Sequence, residues 1–286
     1  MDTLGAIRER HSVRKYIDKA LADDVKARLE EEIEIINKES GLHVQLITGE
    51  YRAFKGPMAY GKFSGVSSYL VMAGPKEDGL DEKVGYYGEK LVLLAQCLGL
   101  NSCWAGVSYS KIAGTYHLEK GEKIACYIAL GYGLSQGVQH KSKSLEELSN
   151  VSDSTPEWFR KGVEAAQLAP TAINQQKFFI KYVGGDEDVK GGAGGCASGD
   201  EDVNGSAGGC SSGDEDVKGS ADGCSSGDED VKGSAGGCSN GDGKRKTLPK
   251  VRIEKGFSMV GYTQMDMGIA KLHFEIGAGR ENFVWD

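Results

Sequence analysis

An α+β protein of two related halves, interrupted by a long insert outside their folds, is the architecture this sequence predicts. Three observations carry it. Apolar residues along most of the 286-residue chain follow either helical or strand periodicity. The pattern of residues 1–150 returns in weaker form over 151–286. A tandem repeat at 185–240 separates two strand-like segments.

The elements follow in order. Residues 22–38 place Val25, Leu29, Ile33 and Ile36 at helical spacing with acidic residues between them. HVQLIT (43–48) and SSYLVMAG (67–74) read as strands. Residues 85–100 are an almost wholly apolar helix, hence central, and 123–133 (KIACYIALGYG) form a buried strand ending in glycines. Residues 156–168 begin with a proline at a favoured early position and put Phe159, Val163 and Ala166 on one helical face. FFIKYV (178–183) and KVRIEK (250–255) alternate as strands. EWFRKGVEAAQLAPTAINQQKFFIKYV repeats the helix–loop–strand form of DDVKARLEEEIEIINKESGLHVQLIT. Likewise VGYTQMDMGIAKLHFEIGAG echoes VGYYGEKLVLLAQCLGLNSC, with Val260-Gly261-Tyr262 answering Val84-Gly85-Tyr86.

The insert is four copies of a 14-residue unit of the form GDEDVKGSAGGCSS, with Cys196, Cys210, Cys224 and Cys238 in phase. One valine per unit offers too little apolar surface to offset the entropy of ordering, so a disordered linker is expected. Regular thiols among carboxylates also suit a soft metal, and the DED triplets suit calcium. The paired Cys-x₂-Cys of a zinc site and the alternating ligands of a calcium loop are both missing. Expanding a turn of a few residues to about sixty is three to four doublings, costing roughly 2 kcal/mol, which a folded domain tolerates.

Charge follows the same partition. The stretch 184–243 holds 19 glycines and 14 acidic residues for a net −11, leaving +3 for everything else. The acidity is local, and no Lys/Arg-rich arm argues for nucleic acid. No run of about 18 apolar residues suggests a membrane span. The first residues, MDTLGAIRERHSVRKY, carry charges where a signal peptide needs its apolar stretch, so a soluble, cytoplasmic protein is expected. None of His43, His117, His140 or His273 has the spacing of a metal ligand, and no metal is expected. Cys97 and Cys126 sit in apolar segments and read as small hydrophobes.

Four segments carry a family resemblance. Arg10-His11-Ser12-Val13-Arg14-Lys15-Tyr16 resembles an R-x-S-x-R motif, and Ala169-Pro170-Thr171-Ala172-Ile173-Asn174-Gln175-Gln176 an A-P-S-x-x-N-x-Q loop. Residues 98–106, ending Trp104-Ala105-Gly106, resemble the segment after a central helix, and His140-Lys141-Ser142-Lys143 a basic pair near a subunit's end. In this order they resemble the FMN-dependent nitroreductases, in the single-chain form that works as an intramolecular pseudo-dimer.

The resemblance implies FMN as cofactor and NAD(P)H as transient co-substrate. Arg10, Ser12, Lys141 and Lys143 would meet the phosphate, and Arg14 the ribityl chain or pyrimidine edge. His11 would line the site. Trp104 and the backbone of Ala105 and Gly106 would face the ring, glycine allowing close approach. Pro170, Thr171, Asn174 and Gln176 would close the other side. No side chain is expected to be catalytic, because the isoalloxazine carries the chemistry. Two departures stand out: Lys177-Phe178 replaces a usual Pro-Trp, and two lysines replace a pair that often includes arginine.

Each half lacks what the other keeps. The first has RHSVRKY but INKESGLHVQ at its loop position, and the second has APTAINQQ with no R-x-S-x-R before it. One FMN per chain in the seam between halves is expected, the pseudo-symmetric site being empty and the protein functional as a monomer. The implied function is ping-pong reduction of nitroaromatic, quinone or related small-molecule acceptors. A non-catalytic flavin-binding or sensing protein is the alternative.

Overall fold

The computed structural model describes residues 1–59, 62–184 and 247–286. The repeats at 185–240, with the linker and metal readings attached to them, lie outside the described residues.

A short helix α1 (Thr3–Glu9) opens the chain, its first turn capped by the Asp2 carboxylate, which accepts from Gly5 N at 2.7 Å. Helix α2 (Asp23–Ser40) buries Leu29, Ile33 and Ile36 and stops at Gly41, which takes the left-handed conformation (φ 71°) that ends many helices. Strands β1 (Gln45–Thr48), β2 (Ser68–Pro75), β3 (Asn101–Ala105) and β4 (Glu122–Gly131) form one sheet in the order β1-β2-β4-β3, every neighbouring pair antiparallel. Strand β2 explains its own sequence. Leu70 and Met72 pack with α2 and the central helix, while Tyr69, Val71 and Ala73 pack with Phe54 and Tyr127 on the opposite face. Burial on both faces turns an alternating strand into a continuous apolar run.

The central helix α3 (Leu80–Cys97) begins five residues before the apolar periodicity predicts. Buried Leu80 and Val84 extend its inner face, and Asp81 and Glu82 suit the positive end of the helix dipole. It ends earlier too, before a turn at Gly99 (φ 79°). Residues 101–105 then form β3, an element the sequence does not announce, because Asn101 and Ser102 break the apolar run while being buried in the sheet.

The remainder contains α4 (Leu145–Leu148), α5 (Glu157–Gln167), β5 (Phe178–Gly184), β6 (Lys250–Lys255), α6 (Thr263–Ala278) and β7 (Val284–Trp285). Pro156 stands just before α5 rather than within its first turn, and makes no side-chain cap. Strands β5 and β6, which flank the insert, pair antiparallel from Phe178 with Lys255 to Gly184 with Lys250, as expected of neighbours. Strand β7 joins β6 in parallel. An aromatic core of Phe159, Phe274 and Phe283, with Trp158 stacked on Phe283, fills this region.

Helices α3 and α6 cross at two glycines. A Cβ on Gly85 would overlap the Met265 carbonyl oxygen, and one on Gly268 would overlap the Glu82 carbonyl oxygen. The contact is reciprocal: each glycine meets the carbonyl three residues before the other. Tyr86 Oη donates to Glu275 Oε2 at 2.6 Å, and Lys271 pairs with Glu82 across the same crossing. This corrects the correspondence read from the sequence. Val260-Gly261-Tyr262 precede α6, whereas Val84-Gly85-Tyr86 lie within α3. The residues immediately before the two helices are Gly79 and Tyr262, each left-handed (φ 85° and 60°).

Candidate functional site

A cavity of about 350 Å³ opens where the end of β3, the loop after α5 and the start of α6 converge. That volume falls in the range of small-molecule and cofactor sites. Seven of the residues singled out in the sequence line it: Ser12, Arg14, Trp104, Ala105, Gly106, Pro170 and Thr171. They come from 160 residues of sequence, and the fold alone brings them together.

Local chemistry places each one. Ser12 sits in a bridge parallel to Ser102 of β3, and Val13 N donates to the Ser102 carbonyl at 3.0 Å, so the segment runs beside the strand that carries Trp104. Trp104 lies over Gly88 of α3; a Cβ there would be 2.5 Å from the indole. At Gly106 the absent side chain makes room for Tyr262, whose Cζ would be 2.6 Å from a Cβ. The space beside Gly106 is thus taken by the tyrosine immediately before α6.

The opposite wall is the loop 169–176, which is strained. Ile173, Asn174 and Gln176 have φ of 48°, 58° and 43°. Asparagine adopts this region with little cost, but a β-branched isoleucine is an outlier there. Buried Asp266 of α6 holds the loop by accepting from Ala172 N (2.9 Å) and Gln175 Nε2 (2.7 Å). Thr171 Oγ1 accepts from Gln176 N at 3.1 Å, so the threonine hydroxyl has a structural use. Burial raises the Asp266 carboxyl to about 6, outweighing the two hydrogen bonds that favour its charge.

The other predicted residues form a separate rim. Asn174 Nδ2 donates to the Lys141 carbonyl (2.8 Å), Lys143 N to Gln176 Oε1 (2.9 Å) and Lys143 Nζ to the Gln176 carbonyl (2.7 Å). Lys141, Lys143, Asn174 and Gln176 therefore tie the segment 140–143 to the loop but do not line the cavity. His11 is also off the wall; burial and the adjacent Arg10 charge hold its imidazole below the usual value. Arg10 is buried, with its Nε 3.7 Å from Glu89 Oε1 rather than on the cavity surface. The expected phosphate set is thus divided: Ser12 is on the wall, and Arg10, Lys141 and Lys143 are behind or beside it.

Cys103, next to Trp104, is buried, and burial pushes its thiol up, as in an inert cysteine. Cys126 behaves likewise. Among the described residues no group of three or more His, Cys, Asp or Glu could hold a metal ion. No described helix is long and apolar enough to cross a membrane.

Sequence reasoning missed Lys62, Tyr262 and Asp266, all on the wall. A signal existed for two of them. Tyr262 lies in the echoed VGY segment, and Asp266 is a carboxylate within the largely apolar opening of α6 (TQMDMGIA). Lys62 stands in a glycine-rich loop with no period to mark it. Lys62 and Arg14 give the cavity two cations, neither paired with a carboxylate among the described residues.

Comparison with known proteins adds the following. The family described as "Putative TM nitroreductase" matches residues 2–197. A putative nitroreductase of Thermotoga maritima is similar at 23% identity, covering 65% of this chain and 73% of that one, with a TM-score of 0.47. A putative nitroreductase of Desulfovibrio desulfuricans, solved in complex with FMN, is 19% identical over 55% of this chain and 99% of its own, with a TM-score of 0.43. An FMN-dependent nitroreductase of Clostridium difficile is 17% identical over 51% of this chain and 94% of its own, at 0.38. No curated protein matches.

Proposed function

Because the chain belongs to the family described as Putative TM nitroreductase, we propose that it is an FMN-dependent oxidoreductase of nitroreductase type, reduced by NAD(P)H and reoxidised by a small nitroaromatic, quinone or related acceptor. One observation supports this most: the cavity joins the R-x-S-x-R segment to the A-P-T-x-x-N-x-Q loop, through Ser12 and Arg14 on one side and Pro170 and Thr171 on the other.

The donor set fits the cofactor. FMN needs a flat apolar slot for its ring and cations for its anionic parts. Ala105, Trp104, Met265 and Ile269 supply apolar wall, while Arg14 and Lys62 supply positive charge. An arginine guanidinium suits a phosphate or a ring edge that gains negative charge. Ser12 would add a hydroxyl donor. Lys141 and Lys143 would raise the positive potential at the rim. When bound, FMN would supply the hydride and electron transfer itself. The protein's part is to bind it, to exclude water with the strained loop, and to leave a face open for nicotinamide and then acceptor. We further propose one FMN per chain and activity as a monomer, because both halves contribute wall.

An absorbance spectrum of the pure protein after equilibration with FMN tests this. One equivalent per chain, bleached by NAD(P)H and restored by menadione or nitrofurazone, is expected. A colourless protein would end the proposal, and bound flavin that never bleaches would leave a binder rather than an enzyme.

A further inference from the structure

Glu89 on α3 is fully buried, and three other elements bring polar groups to it. Trp104 Nε1–H of β3 donates to Oε2 at 2.9 Å. His273 Nε2 of α6 lies 3.0 Å from Oε1, and Arg10 Nε, just after α1, lies 3.7 Å from the same oxygen. His273 is fully buried as well, and its Nδ1 is 3.1 Å from the Ala165 carbonyl oxygen of α5. Arg10 Nε has no hydrogen-bond partner.

The proton count follows from these contacts. A carbonyl oxygen only accepts, so His273 Nδ1 must carry hydrogen. The Nε2–Oε1 contact then requires a second proton, on the ring or on the carboxyl group. Both the Arg10 charge and the indole N–H stabilise a carboxylate, which leaves the proton on the ring. No other charged group among the described residues is recorded against this pair. Water is excluded here, so each partner depends on the others. Trp104 connects the cluster to function, because the same indole lines the cavity.

We propose that Glu89 and His273 share one buried proton, carried on His273 Nε2, and act as positioning residues that hold the Trp104 indole in the cavity wall. The consequence for flavin rests on the reading of the cavity given above; the proton does not.

Glu89→Gln is the discriminating variant. Its amide oxygen accepts from the indole and its NH₂ donates to a neutral His273, so size, hydrogen bonds and net charge are retained while the shared proton is gone. In ¹⁵N-labelled protein without flavin, with wild type and variant compared in the same buffer, both His273 ring nitrogens should carry hydrogen in wild type. Only Nδ1 should be protonated in Glu89→Gln. An unprotonated Nε2 in wild type overturns the shared proton. In titrations with FMN, Glu89→Ala should bind roughly tenfold or more weakly, since it strands two buried donors. Glu89→Gln should recover most of that loss. Wild-type affinity in Glu89→Ala, or equal loss in both variants, overturns the positioning role. Should wild type itself not take FMN, the flavin reading fails while the nitrogen spectra still decide the proton.

Discussion

Gly85 and Gly268 let α3 and α6 touch backbone to backbone, each glycine lying against the carbonyl three residues before the other. An exposed helical glycine replaced by alanine ordinarily stabilises by up to about 1 kcal/mol. Here the sign reverses. Gly85→Ala and Gly268→Ala should each destabilise by about 1–3 kcal/mol, the cost of overpacking a close contact. Urea midpoints of the two single variants check it, and an unchanged or higher midpoint would mean that the helices can part freely.

Arg14 and Lys141 should behave differently, although both come from motifs implied to bind FMN. Arg14 is on the cavity wall, whereas Lys141 is on the rim. Arg14→Ala should weaken FMN binding about tenfold or more, the scale of one charge-assisted hydrogen bond. Lys141→Ala should cost less, and its effect should shrink in salt. Flavin fluorescence titrations at two ionic strengths separate them; the reverse ranking would move the anionic tail to the rim.

Asp266 makes stability depend on pH. Its folded carboxyl is raised to about 6 by burial, above the ordinary 3.8. The stabilisation is complete below the unfolded value and is lost as pH rises through the folded one, by up to about 3 kcal/mol. Wild type should therefore lose stability relative to Asp266→Asn between pH 4 and pH 7. Parallel denaturation curves at those two pH values would contradict this.

Ile173 is β-branched, left-handed and largely exposed, yet it lines the cavity. Ile173→Asn should stabilise the protein by about 1 kcal/mol by relieving that strain. It should also raise the KM for acceptor by removing apolar wall. Thermal melts and steady-state kinetics read the two effects, and a destabilised variant would show that the side chain contributes more than its backbone strain costs.

Strands β5 and β6 pair up to Gly184 and Lys250. Joining them through an Asn-Gly turn in place of residues 185–249 should retain FMN binding and raise stability by roughly 3 kcal/mol, about five halvings of loop length. Loss of flavin in this variant would assign the excised segment, repeats and flank together, a part in the site.

Much of the architecture was legible because it is written in local periods. The amphipathic spacing of Leu29, Ile33 and Ile36, the alternation in KVRIEK and the proline opening α5 each predict their element from neighbouring residues alone. The motifs at Arg10–Arg14 and Pro170–Gln176 likewise pointed to the wall on which Ser12, Arg14, Pro170 and Thr171 meet. Strand β3 was hidden because its buried Asn101 and Ser102 look like loop residues until partners satisfy them.

By itself, then, the chain's order of residues determined the α+β class, the periodic elements, the family motifs and the place of the insert, since these depend on short-range sterics and hydrophobic spacing. Tertiary packing decided what no window of sequence contains. It set Gly85 opposite Gly268, turned Arg10 inward to Glu89, and made Tyr262 and Asp266 part of the cavity. Partnership between charges and backbones far apart in the chain depends on distance in space, and only the folded crossing of α3 and α6 supplies it.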